Sequence, residues 1–142
     1  MKTEITRSQL SGIGLFHGMS DTQIDKIAKQ MHDQTFSEDE IIIREGELGG
    51  ELFVLLKGTI EISKRLTLRG VGGGSDQRNK SLIRLKAEHN VFFGGMSMFG
   101  SEERSATVKA IVDTHLGVLT QDQLQVLSKD DPSLGYLLYY NI

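Results

Sequence analysis

Between Ser20 and Met31 the apolar residues Ile24, Ile27, Ala28 and Met31 recur at the i, i+3, i+4, i+7 spacing of one helical face. A helix is predicted there. Ser20 and Gln23 have the form of a capping box at its start, with Met19 and Ile24 in the two hydrophobic-staple positions. Thr120 and Gln123 repeat the device, with Leu119 and Leu124 as the staple, and predict a second helix from about 120. Asp131 before Pro132 reads as an N-cap followed by a first-turn proline. The short helix this starts would carry Leu134, Leu137 and Leu138 on one side and Tyr136 and Tyr140 on another. Its two apolar faces call for two surfaces.

Elsewhere the period changes to two or to short apolar runs, over Glu40 to Arg44, Glu51 to Leu56, Thr59 to Lys64, Ser81 to Leu85, Thr107 to Val112 and His115 to Leu119. Turn signals fill the gaps: Glu45 to Gly50, Lys57-Gly58, and the glycine tract from Gly70 to Asp76. The chain therefore reads as mainly β with flanking helices, an antiparallel barrel or sandwich between an N-terminal helix and C-terminal helices. The glycine tract lacks the Gly-Lys-Ser/Thr ending of a phosphate loop and no helix signal follows it, so it reads as a hairpin tip.

Length and composition narrow the function. A chain of 142 residues is the size of one domain, taken here as 1–142. Its longest unbroken apolar run, Leu52 to Leu56, is too short to span a bilayer, which argues against a membrane role. The first residues, MKTEITRSQ, lack the apolar stretch of a secretory signal, and the absence of cysteine excludes disulfides, thiolate metal sites and cysteine nucleophiles. A cytoplasmic protein is the simplest expectation. With 16 basic against 19 acidic residues and a formal net charge of −3, there is no electrostatic reason to expect a nucleic-acid partner. His17, His32, His89 and His115 are scattered without metal-ligand spacing, and no serine is framed as a nucleophile elbow. Neither an enzyme, a metal nor a bound cofactor is expected.

One stretch carries binding chemistry. Phe92-Phe93 precede Gly94-Gly95, where bare backbone allows close approach to a ligand, and Met96 to Phe99 are expected to form a short turn whose N–H groups bind an anion. Arg104 would add a planar fork to the same oxygens and the Ser105 hydroxyl one further donor, in a loop outside the core. The competing reading is a plain tight turn, with Arg104 paired on the surface with Glu102, Glu103 or another carboxylate.

The order of elements, with Glu45-Gly46 and Gly49 in one turn, Leu56-Lys57-Gly58 ending a strand, and Phe93-Gly94 leading to Arg104-Ser105-Ala106-Thr107, resembles the cyclic nucleotide-binding domain. The match runs from about Leu15 to Tyr140. That family includes bacterial catabolite activators, regulatory subunits of cyclic-nucleotide-dependent kinases, and gated channels. The resemblance implies an eight-stranded double-stranded β-helix, a jelly-roll-like barrel. It also implies a ligand-binding cassette at Gly94, Gly95, Met96, Ser97, Arg104, Ser105 and Ala106, taking cyclic AMP or cyclic GMP as ligand. The family's Phe-Gly-Glu is here Phe93-Gly94-Gly95, so the glutamate that would accept from the ribose 2′-hydroxyl is missing. Losing a hydrogen bond to a charged group removes about tenfold to hundredfold in affinity, and Gly95→Glu is expected to raise affinity for cyclic AMP provided the backbone there has φ below zero and tolerates a side chain. The implied function is a small regulatory module that signals to a partner or a second copy through its C-terminal helices. The alternative is a degenerate pocket on a protein-interaction domain, or one that takes a different anionic ligand.

Overall fold

The computed structural model describes residues 5–65, 68–69, 75–76, 80–95 and 103–142. Helix α1, Arg7–Leu10, and a 3-10 turn at Gly14–Phe16 precede helix α2, Asp21–Gln30. Ser20 caps α2 as its sequence predicts: the hydroxyl accepts from the Gln23 N–H at 3.2 Å and the Gln23 amide oxygen accepts from the Ser20 N–H at 2.9 Å. Ile24, Ile27 and Ala28 face inward. At the other end, Thr120 and Gln123 form the same box at the start of α3, Gln121–Asp130, and Asp131 caps α4, Pro132–Asn141.

Two four-stranded antiparallel sheets lie between these helices. Numbered along the chain, the strands are β1 His32–Phe36, β2 Ile41–Ile43, β3 Glu51–Lys57, β4 Thr59–Arg65, β5 Leu68–Arg69, β6 Ser75–Asp76, β7 Lys80–Lys86, β8 Phe92–Phe93, β9 Thr107–Ala110 and β10 Thr114–Thr120. One sheet runs β1-β10-β3-β8, the other β2-β9-β4-β7, and β5 pairs with β6 alone. This is the jelly-roll arrangement with its two sheets kept separate rather than closed into a barrel. The β5–β6 ladder, Leu68 opposite Asp76 and Arg69 opposite Ser75, flanks the glycine tract as expected of a hairpin, although Gly70 to Gly74 lie outside the described residues.

The apolar run in β3 is explained by burial on both faces. Alternation sends Leu52 and Val54 toward the helices, where they join Leu119 of β10 and Ile27, Leu124, Leu134 and Leu138. Phe53 and Leu55 point the other way, into the cluster between the sheets with Ile60, Val108, Leu116 and Val118. The first sheet is therefore the middle layer of the molecule, and β8, on its edge beside β3, leads straight into Gly94.

Helix α4 divides its apolar residues as its sequence suggests. Leu134 and Leu138 are fully buried against the core, while Tyr136 and Tyr140 are exposed and stack on each other with ring centroids 6.0 Å apart. Among the described residues no helix is long and apolar enough to cross a membrane.

Candidate anion-binding site

Strand β8 pairs with β3, Phe53 opposite Phe93, and their rings stack with centroids 5.1 Å apart. That contact fixes the direction in which the chain leaves β8. Gly94 follows with φ +85°, left-handed backbone that disfavours a side chain. A Cβ there would also sit 2.7 Å from both the Glu51 carbonyl oxygen and Arg104 Nη1. Bare backbone is thus required by conformation and by contact.

Arg104 reaches this corner from the opposite direction. Its backbone is anchored by N–H donation to Glu47 O at 2.7 Å and by accepting from the Gly46 N–H at 2.8 Å. The side chain then runs inward. Nη1 donates to Glu51 O and Gly94 O, both at 3.1 Å, and the guanidinium lies over the Phe53 ring, 5.8 Å from its centroid. Only 5% of Arg104 is exposed. The expectation of a loop position outside the core is corrected here, because Gly49 leaves a hollow that the guanidinium fills and Phe53 supplies its floor.

Among the described residues no carboxylate lies within ion-pairing distance of Arg104. Burial pushes its pKa below the ordinary arginine value, and the more distant charge of Glu51 opposes that shift. The group stays a cation, since arginine does not deprotonate in proteins. It is a buried positive charge met by two neutral carbonyls, an arrangement that an anion would improve.

The other predicted residues fare unequally. Gly94 and Arg104 are brought together, Ser105 is exposed beside Arg104, and Ala106 is half-buried at the entry to β9. Met96 and Ser97 lie outside the described residues, as does Glu102, while Glu103 is exposed and bridges to Leu48. Gly95 is buried, and a Cβ added to it would lie 2.6 Å from Cγ2 of Ile142. A Gly95→Glu side chain would therefore meet Ile142, so the condition attached to that substitution, room for a side chain, is not met while Ile142 is seated there. Sequence reasoning placed Glu51 and Phe53 only in a strand and Gly49 only in a turn, without assigning any of them to the site. Their roles arise from contacts far apart in sequence.

The family model for the cyclic nucleotide-binding domain matches residues 33–131. The chain belongs to this family. It is 26% identical over 129 residues to the cyclic AMP receptor protein of Thermus thermophilus, covering 91% of this chain and 55% of that protein. It is also 26% identical over 129 residues to the cGMP-dependent protein kinase egl-4 of Caenorhabditis elegans, covering 91% of this chain and 14% of the kinase. The chain thus spans about half the first relative's length and a small part of the second's. In structure it resembles a cyclic nucleotide-binding domain from Methylobacillus flagellatus with a TM-score of 0.76, at 23% identity, over 94% of this chain and 70% of that one. At that identity the likeness speaks for the fold alone.

Proposed function

We propose that this chain is a regulatory module that binds a cyclic nucleotide, cyclic AMP or cyclic GMP, by its phosphate, and passes occupancy to a partner through α3 and α4. The observation that carries this reading is the buried guanidinium of Arg104, held between Gly94 and Gly49 with no carboxylate of the described residues within ion-pairing distance. Burying a cation is costly, and a phosphate of one negative charge is the kind of group that would offset it with charge-assisted bonds. The surface pairing considered from sequence would have left Arg104 exposed. The bare backbone at Gly94 supplies the close approach a cyclic phosphate needs.

The competing reading is a protein-interaction domain whose nucleotide pocket has degenerated. The covered Gly95 and the exposed Tyr136–Tyr140 stack favour it. Thermal-shift and calorimetric titration of the intact chain with cyclic AMP, cyclic GMP and cyclic dinucleotides separates the two. Saturable binding that raises the melting temperature supports the module, and no binding by any of these ligands favours the interaction domain.

A further inference from the structure

We propose that Ile142 is an autoinhibitory latch: seated on Gly95, it holds the Gly94–Gly95 peptide with its carbonyl toward Arg104, the orientation that opposes an incoming phosphate. This rests on the cyclic nucleotide reading above. The relevant peptide unit contributes Gly94 O and Gly95 N–H, and its oxygen accepts from Arg104 Nη1 at 3.1 Å. An oxygen already occupies the place where a phosphate oxygen would meet that donor, and the N–H of the same peptide, which an anion would seek, is directed the opposite way along the peptide plane. For the site to accept an anion, Arg104 must exchange Gly94 O for ligand oxygen and the peptide must turn.

Ile142 resists that turn. Its Cγ2 lies so close to Gly95 that an added Cβ would be 2.6 Å away, so the isoleucine packs directly on bare backbone. Ile142 is in turn anchored. Its N–H donates to Leu138 O at 3.1 Å, and it joins the core formed by Leu52, Val54, Leu134 and Leu138. The preceding Asn141 donates from Nδ2 to Leu15 O and His17 O, both at 2.9 Å, tying the end of α4 to the 3-10 turn. Gly94, at φ +85°, and Gly95, with no side chain, are the residues best able to turn once that weight is removed. Ligand binding and Ile142 seating are therefore antagonistic, and α4 is released when the site fills.

The test uses the full chain and three variants. Gly95→Ala places a methyl against Ile142, Ile142→Ala shortens the latch, and Asn141→Ala loosens its anchor without touching the site. Two quantities are measured: cyclic AMP affinity by calorimetry, and hydrogen-exchange protection of the backbone amide at position 142. Each variant is expected to lower protection and to raise cyclic AMP affinity at least fivefold, with Gly95→Ala and Ile142→Ala together giving no more than either alone. In the parent chain, cyclic AMP is expected to lower protection at Ile142. Binding by the parent chain with affinity unchanged or reduced in all three folded variants overturns the latch while leaving the nucleotide reading intact. If no form binds cyclic AMP or cyclic GMP, the nucleotide reading fails and the coupling with it; exchange in Gly95→Ala then decides only whether Ile142 is seated on Gly95.

Discussion

Gly49 and Arg104 are complementary: a Cβ on Gly49 would lie 2.6 Å from Arg104 Cζ and nearer still to Nε and Nη2. The hollow left by a missing methyl is therefore filled by the guanidinium. Gly49 has no positive φ, so alanine meets no backbone strain there and any effect must come from the contact. Gly49→Ala is predicted to displace the guanidinium from its seat over Phe53 and to weaken cyclic nucleotide binding at least tenfold. Calorimetry with the folded variant measures this, and undiminished affinity would detach Arg104's present position from ligand binding.

Arg104 itself separates charge from shape. Lysine keeps the charge but lacks the planar guanidinium that lies over Phe53 and can offer two parallel donors to a phosphate, so Arg104→Lys should reduce affinity by roughly tenfold to hundredfold. Arg104→Ala should abolish binding and, because the residue is buried rather than on a surface loop, should also lower stability by about 1–3 kcal/mol through lost packing and unpaired carbonyls. Urea denaturation read alongside calorimetry distinguishes the two variants. Equal stability in Arg104→Ala and the parent chain would contradict the packing role.

What was legible in the sequence was local. The boxes at Ser20–Gln23 and Thr120–Gln123 and the cap at Asp131 need only neighbours within three residues, and all three form. Strand β1, His32–Phe36, was missed because its pattern is mostly polar, with only Phe36 buried; it exists through pairing with β10, more than seventy residues on, Phe36 opposite Thr114. Strand β8 is two phenylalanines defined by Phe53 and Val54 across the ladder. The site divides the same way: the glycines and the arginine announce themselves, but the depth of Arg104 is set by Gly49 and Phe53. Gly95, a missing ligand contact by resemblance, is the floor beneath Ile142, a partner 47 residues away that no local pattern reveals.

Asp131 gives the fold a defined acid response. Its pKa is lowered chiefly by the Leu134 N–H, which donates to Oδ1 at 3.2 Å, and further by the Gln23 side chain and Lys26, with burial opposing. A carboxylate whose folded pKa is depressed adds stability above its unfolded pKa, about 3.9, and loses it as pH falls through the folded value. Urea midpoints measured from pH 6 downward should therefore decline below about pH 4 with a contribution from this group. In Asp131→Asn, which still caps but does not titrate, that contribution should vanish. An identical acid limb in both chains would remove Asp131 from the response.

The junction of α3 and α4 sets helix propensity against packing. Gly135 lies inside α4, where alanine would ordinarily gain about 1 kcal/mol. Its position argues the reverse, because an added Cβ would meet Ser128 Oγ first and would also lie 2.7 Å from Ser128 Cβ and 3.0 Å from Ser128 Cα on α3. Backbone and Cβ cannot swing aside as a long side chain can, so the helices must separate, and they carry the fully buried Leu124, Leu134 and Leu138. Gly135→Ala is predicted to destabilise the chain by about 1–3 kcal/mol despite its better propensity. Ser128→Ala removes Oγ but keeps the Cβ and should return little of the loss, whereas Ser128→Gly removes both atoms and should return more. Ser128 Oγ is buried without a hydrogen-bond partner among the described residues, so Ser128→Ala alone should be neutral or slightly stabilising. A double-mutant cycle in urea checks this: coupling of about 1 kcal/mol between Gly135→Ala and Ser128→Gly is expected. Additive effects would mean that the helices do not meet at this pair.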